Sequence, residues 1–374
     1  MADHDRPAPS IIRRSILRAE ARVDAFGEWW RDRTGRRRKG TLSAHAGYVH
    51  GDRARVLARV LEPQTAWTPS EGDGRLANLR GVGSLFRTAE IPHARLRLAG
   101  AEETIVRADG EGYVDAEVRV RPRATTSWDA VRGSYLPEAG ADAGDTEAVD
   151  LPILHVGSNA RFAVVSDIDD TVMQTGAENL IRNLWTTFTG NVLTRRVYEH
   201  VPALYRALAY AGGEGVERTN PIFYLSSSPW NLYGMIREVL KRNDVPWGPI
   251  FLRDFGIDET KFIKGTHGGH KRGAALTLMQ HFDGLPFLLI GDLGQADAEI
   301  YAAVARERRD QMLGVILHQP SDRRHEDKRV HVRELEELGV PTLVTTDYAD
   351  ALAFARDHKW IDREADAVSK RSIA

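Results

Sequence analysis

Cysteine is absent from the 374 residues, which excludes disulfides and thiolate metal sites. Long apolar runs are missing too. None approaches the ~20 residues that a membrane-spanning helix needs, and the first residues carry no signal-peptide apolar core. The expected location is therefore cytoplasmic, with peripheral attachment to a membrane surface as the accompanying possibility. Excess charge of one sign is also lacking: a formal net charge of -2 argues against bulk nucleic-acid binding. There is no internal repeat and no extended low-complexity tract. What is present is an ordinary soluble composition, 42% hydrophobic and 28% charged, long enough for two domains and a substantial core.

Three stretches place an acid or a hydroxyl directly after an apolar run: Val165-Ser-Asp-Ile-Asp-Asp-Thr-Val172, Phe223-Tyr-Leu-Ser-Ser-Ser-Pro-Trp230 and Leu289-Ile-Gly-Asp-Leu-Gly-Gln-Ala-Asp297. In an open parallel sheet, ligands bind at the carboxyl ends of the strands, so three such ends converge on one site. In the first stretch, Phe162 to Val165 reads as a buried strand, and two-residue periodicity points Asp167 and Asp169 to one side. A phosphate dianion beside two carboxylates is repelled unless a cation intervenes. Hard oxygen ligands with phosphate present suit magnesium, which keeps several of its waters. Asp167, Asp169, Asp292 and Asp297 are the expected ligands of that Mg2+. One carboxylate, assigned to Asp167, attacks phosphorus to give an aspartyl-phosphate. Its neighbour Asp169 protonates the leaving alkoxide and then activates water.

A lone Asp-x-Asp is ordinarily a solvated turn, and the other two strand ends are what change that reading. Thr171 either caps the following turn or holds Asp167 in place, and Asp170 is a solvated neighbour. In the second stretch, Pro229 fits the first position of a helix running from Trp230 to Arg242, which makes Ser228 its N-cap. Ser226 and Ser227 then lie on the preceding loop, where backbone amides, the helix dipole and the Ser226 hydroxyl face a phosphoryl oxygen. Upstream of the third stretch, two lysines compete for the role of cation. Lys264 and Lys271 share a loop with His267 and His270, and Lys271 precedes a helix with Ala274, Ala275, Leu278, Met279 and Phe282 on one face.

The constellation resembles the haloacid-dehalogenase-like superfamily of phosphohydrolases, whose four motifs map in order onto Asp167-Ile-Asp-Asp-Thr171, Ser226, Lys271 and Gly291-Asp292 through Asp297. The second Asp of the first motif marks phosphatases within that superfamily. More narrowly, Ser226-Ser-Ser-Pro-Trp-Asn-Leu-Tyr233, His270-Lys271, Pro286-Phe-Leu-Leu-Ile-Gly-Asp292 and Asp297-Ala-Glu-Ile-Tyr301 are similar to the actin-patch-type phosphatidate phosphatases and their bacterial relatives. The resemblance favours Lys271 over Lys264, as neutraliser of both nucleophile and phosphoryl group. It implies a phospholipid substrate, phosphatidate, met at a membrane surface. Two departures stand out. Leu293 replaces the Ser that such relatives tend to carry after the fourth-motif Asp, and Ser227 replaces a commoner Asn.

Around this region the chain divides into five parts. Residues 1–40 hold eleven Lys/Arg against six Asp/Glu, and Ile12, Ile16, Ala19, Val23, Phe26 and Trp30 recur at helical spacing. This basic amphipathic helix and linker either lies on an anionic membrane or docks on the protein's own body. Residues 41–138 contain alternating runs expected to form a small antiparallel β-sandwich, with Asp109-Gly110 in a hairpin turn rather than a calcium site. Residues 139–158 read as a linker, and 361–374 as a polar tail. Residues 159–360 alternate strand and helix, predicting an α/β doubly wound parallel sheet of haloacid-dehalogenase-like type. Trp185 and Phe188 border the mouth of the cleft or pack in the core.

The expected activity is a magnesium-dependent phosphatase, cleaving phosphatidate to diacylglycerol and phosphate. The same chemistry on a soluble or protein phosphomonoester is the nearest alternative. A membrane-binding scaffold with a vestigial site is the alternative from another class.

Overall fold

Apolar and alternating runs before residue 156 build one seven-stranded sheet in the computed structural model, which describes residues 40–62, 90–137, 147–174, 197–210, 220–253, 269–319 and 327–361. The strands are β1 (Thr41–His50), β2 (Arg53–Leu61), β3 (Arg95–Ala99), β4 (Glu103–Arg107), β5 (Tyr113–Arg119), β6 (Ser127–Leu136) and β7 (Val149–His155). Their order is β4-β3-β6-β7-β1-β2-β5, antiparallel throughout except for the β1–β7 pair. The sequence pattern predicts a small antiparallel sandwich; the structure has one continuous sheet enclosing a single apolar core, with the Ala101 amide of the β3–β4 turn donating to the Arg119 carbonyl of β5 at 2.6 Å, and it departs from the expectation in the parallel β1–β7 pair. The difference comes from strands whose pattern is weak. β1 is interrupted by a bulge between His45 and Tyr48, and Gly47 is required there because a Cβ would lie 1.9 Å from the Arg55 carbonyl oxygen. β7 falls inside the stretch read as a linker. It contains Pro152 and Asp150, yet buries Leu151, Ile153 and Leu154. Asp109 closes the β4–β5 turn, its Oδ1 accepting from the amides of Glu111 and Tyr113 at 2.8 Å each.

The second sheet is all parallel. It comprises β8 (Ala163–Asp167), β9 (Ile222–Pro229), β10 (Ile250–Arg253), β11 (Phe287–Asp292), β12 (Met312–His318) and β13 (Thr342–Thr345), in the order β10-β9-β8-β11-β12-β13. Connections include α1 (Val201–Tyr210), α2 (Tyr233–Arg242), α3 (Gly269–His281), α4 (Asp297–Glu307), α5 (Arg329–Glu337) and α6 (Tyr348–Asp357). Continuous rather than alternating burial along β8 and β11 is what a sheet covered on both faces demands. The strand order reverses between β8 and β11. Ligand crevices of open α/β sheets form outside the carboxyl ends of the strands at such a reversal.

The two sheets pack on one another within the compact unit Gly40–Ala374. Tyr48 of β1 is fully buried against Phe223, Phe251 and Phe282, with ring centroids at 5.7, 6.1 and 5.7 Å, and its hydroxyl meets His281 Nδ1 at 2.8 Å. Trp128 of β6 stacks on Trp247 at 4.1 Å. His45 stacks on Tyr233 at 4.1 Å, and its pKa is pushed down to about 3 by burial and by nearby Arg59.

Residues 1–39, with their expected amphipathic helix, lie outside the described residues, as do Lys264, His267, Trp185, Phe188 and the tail from 362. No helix among the described residues is long and apolar enough to cross a membrane.

Candidate active site

Asp167 ends β8, Asp292 ends β11, and Asp297 opens α4 just beyond, so the strand-order reversal brings three carboxylates together. All three are buried, with one oxygen of each lying within 4.8 Å of the others. Lys271, in the first turn of α3, reaches into the cluster. Its Nζ is 2.7 Å from both Asp167 Oδ1 and Asp297 Oδ1. Thr171 donates to Asp167 Oδ2 at 3.1 Å, so of its two expected roles it takes that of holding Asp167. Asp297 Oδ2 accepts from the Asp292 amide at 3.2 Å, and Asp292 Oδ1 accepts from the Gln295 amide at 2.8 Å.

Gly291 makes this closeness possible, because a Cβ there would stand 2.6 Å from Asp297 Oδ2 and 2.8 Å from the Tyr301 hydroxyl oxygen. Asp170 adopts a left-handed φ of 57° as the chain turns away from Asp169, a conformation Asp tolerates better than most residues. His318 Nδ1 donates to its carbonyl at 3.2 Å. Leu293 is buried, and its amide donates to the His318 carbonyl at 2.8 Å, so its side chain fills core where the resemblance expects a hydroxyl.

Asp169 is not in this trio. Its Oδ2 accepts from Ser226 Oγ at 2.7 Å and from Ser228 Oγ at 3.0 Å, while its carbonyl accepts from Gln295 Nε2 at 3.0 Å. Ser228 therefore differs from its expected role as an N-cap. β9 runs on to Pro229, a short 3₁₀ turn covers Trp230–Leu232, and α2 starts only at Tyr233 with no side-chain cap, so the Ser228 hydroxyl is turned to Asp169. Strand alternation puts Ser226 and Ser228 on one side and Ser227, which is half-buried, on the other. The positions of Ser228 and Gln295 escaped the sequence reading. The extended geometry of Ser226-Ser-Ser228 was the available signal for the first, and nothing in the pattern pointed to the second.

Burial pushes the Asp167 carboxyl well above its usual range. Lys271 pulls it down, and Asp297, Asp169 and Asp292 push it further up. Asp292 is pushed up to about 8, first by burial and then by Asp297. Burial alone would lower Lys271, yet Asp167 and Asp297 more than offset this and raise it, so it stays an ammonium. Four buried aspartates thus share a single buried lysine among the described residues, and Asp292 Oδ2 is buried without a hydrogen-bond partner. Such an excess of buried negative charge calls for protons or a cation. An all-oxygen donor set with an unpartnered oxygen fits a hard divalent ion.

Residues 162–319 match the family model described as phosphatidate phosphatase APP1, catalytic domain. Over 156 residues the chain is 26% identical to phosphatidate phosphatase APP1 of Saccharomyces cerevisiae, covering 42% of this chain and 25% of that protein. An uncharacterized protein of Schizosaccharomyces pombe is 26% identical over 194 residues, covering 52% of this chain and 28% of its own. The chain thus spans about a quarter of the length of the curated relatives it matches. Among solved structures, a chain of the Bacteroides ovatus GH5 xyloglucanase in complex with a XXXG heptasaccharide aligns at 10% identity, covering 85% of this chain and 68% of that one. Its TM-score is 0.18, and no shared fold follows from it. The family match contains every residue of the site described above, from Asp167 to Asp297.

Proposed function

We propose that the chain is a magnesium-dependent phosphomonoesterase of haloacid-dehalogenase-like type that hydrolyses phosphatidate to diacylglycerol and phosphate. The observation that carries this reading is the buried convergence of Asp167, Asp292, Asp297 and Lys271 at the strand-order reversal, with Asp169 tied to Ser226 and Ser228 alongside. The catalytic-domain match over these residues supports the substrate class.

Asp167, Asp292 and Asp297 are the residues that would hold magnesium, which when bound neutralises charge on the phosphoryl oxygens. Asp169, expected both to bind the ion and to carry the proton, has its side chain tied to Ser226 and Ser228, and in this reading it acts as the proton carrier. A carboxylate oxygen of Asp167 bonds to phosphorus as the bond from phosphorus to the lipid oxygen breaks, giving an aspartyl-phosphate. Asp169 gives its proton to the departing alkoxide. Asp169, now a carboxylate, takes a proton from water as the water oxygen attacks phosphorus and the bond to Asp167 breaks. Lys271 keeps a positive charge beside the attacking carboxylate throughout.

The test is phosphate release from phosphatidate in mixed micelles and from a soluble aryl phosphate, each with magnesium or with chelator, using Asp167→Asn as the blank. Magnesium-dependent turnover of the lipid that disappears in the variant is expected. Turnover of the soluble ester alone would refute the lipid assignment, and magnesium-independent turnover would refute the metal.

A further inference from the structure

A short segment of chain links the seven-stranded sheet to the active site. Ser226 and Ser228 donate to Asp169 Oδ2, the Ser228 amide donates to Ser226 Oγ at 3.0 Å, and the next residues are Pro229 and Trp230. The Trp230 ring is gripped from the other sheet. The Arg59 guanidinium carbon sits 3.2 Å from its centroid, and Tyr113 meets it edge-on at 5.7 Å. Arg59 is itself fixed. It is 2% exposed, its Nε donates to the Glu111 carbonyl at 2.9 Å, its Nη2 donates to Glu90 Oε1 at 2.9 Å, and it also lies over the Tyr113 ring at 4.3 Å. Three residues past Trp230, the Tyr233 hydroxyl accepts from the Ala46 amide at 2.8 Å and its ring stacks on His45.

The segment from Ser226 to Tyr233 is therefore tied to Asp169 at one end and to β1 and β2 at the other. Between the two ties lie a proline at φ -67° and a single 3₁₀ turn, which leave little slack. A buried arginine needs a reason to be buried. Here its hydrogen bonds hold it to its own sheet while its face is spent on an indole of the other module.

We propose that Arg59 is a positioning residue for the Ser226–Ser228 pair, and that the seven-stranded sheet serves as the fixed jaw against which this strand end is set. The proposal rests on the phosphatase reading for its effect on turnover, but not for its effect on the segment itself. Ser226 and Ser228 engage Asp169, so a shift of their hydroxyls falls on the proton-transfer step. A displacement of about 1 Å costs up to ~100-fold in rate.

The test uses the full chain with Arg59→Met, Arg59→Lys and, in case the loss of a buried arginine impairs folding, Trp230→Leu, which removes the other half of the contact. Hydrogen exchange is followed on peptides covering Ile222–Tyr233, with Phe287–Asp292 of β11 as the internal reference, and kcat and KM are measured on phosphatidate micelles. Arg59→Met and Trp230→Leu are each expected to speed exchange at Ser226–Tyr233 by about 10-fold or more while β11 keeps its protection. They are expected to lower kcat by about 10- to 100-fold with KM within about threefold. Arg59→Lys keeps a cation over the ring and is expected to recover most of kcat. Unchanged exchange in Arg59→Met and Trp230→Leu overturns the proposal, as does loss of protection in β11 in parallel with Ser226–Tyr233. If the parent protein hydrolyses no phosphomonoester while the exchange result is as expected, the positioning role stands and the phosphatase reading falls.

Discussion

Replacing Lys271 with Met keeps the apolar stem of the side chain and deletes its charge from the centre of the carboxylate cluster. At an effective dielectric of ~20, a unit charge pair at 2.7 Å attracts by about 6 kcal/mol, and Lys271 makes two such contacts. Desolvation of the ammonium offsets several kcal/mol of that gross attraction. The net loss on breaking a buried pair is about 3–5 kcal/mol. A domain of this size loses ~2–4 °C per kcal/mol, so melting should fall by about 6–20 °C. The pH dependence is the sharper assay. Lys271 is the strongest influence lowering the Asp167 pKa, so its loss raises further a carboxyl that is already raised. A raised acid holds a proton in the folded state that the unfolded chain has released, so its contribution to stability is present at low pH and lost as pH rises through the folded pKa. The Met variant should therefore show its largest deficit near about pH 8 and a smaller one near about pH 5, both with chelator present. A variant melting within about 2 °C of the parent at the higher pH, or a deficit independent of pH, would refute this account of the cluster.

Gly291→Ala forces a Cβ to 2.6 Å from Asp297 Oδ2, so urea melts should show a loss of about 1–3 kcal/mol together with loss of the magnesium-induced shift in midpoint; a parent-like magnesium shift would show that Asp297 does not bind it. Ser228→Ala removes a buried hydroxyl bonded to a carboxylate, worth about 1.5–3 kcal/mol, so melting should fall by about 3–12 °C and phosphate release, with Asp169 no longer held, should drop about 10- to 100-fold. Unchanged turnover would make Ser228 a bystander. Asp292, pushed up to about 8 by burial, would have to give up its proton to hold a metal, so if it is a ligand magnesium should raise the melting temperature more at about pH 8 than at about pH 6. His45, held neutral with a pKa of about 3, takes up a proton only on unfolding once the pH drops below its ordinary 6.5. The parent should lose stability as pH falls through that window, and His45→Gln should flatten the slope in urea titrations.

Much of the parallel sheet was legible because its strands are short uniform apolar runs ending in acids or serines. The run from Phe162 to Val165, read as a buried strand, overlaps β8 (Ala163–Asp167), and the three apolar stretches ending in acids or serines fall on the ends of β8, β9 and β11. Asp167 and Asp292 came together because strand ends converge whatever the loops do, and Asp297 and Lys271 join them from the first turns of α4 and α3. The first sheet was harder to read. β1 is bulged and relies on Gly47, β6 carries Asp129, Arg132 and Gly133, and β7 contains a proline, so local pattern failed where long-range pairing decides. Ser228 was misplaced for a related reason: Pro229 at a helix start is a sound local rule, overridden here by pairing of β9 with β10 as far as Arg253.

The parallel pair at the centre of the first sheet has a consequence for how the chain is made. One edge of β1 is covered by β2 almost at once, across a two-residue turn, but the other waits for β7, which follows roughly 100 residues later. β8 then starts after only the seven residues from Val156 to Phe162. At ribosomal rates of ~5–20 residues per second, the strand that closes the first sheet and the strand that founds the second emerge within about a second or two of each other. A nascent chain stalled before β7 carries a half-paired β1 with Tyr48 and Val49 unprotected, an open edge of the kind that invites association with other chains.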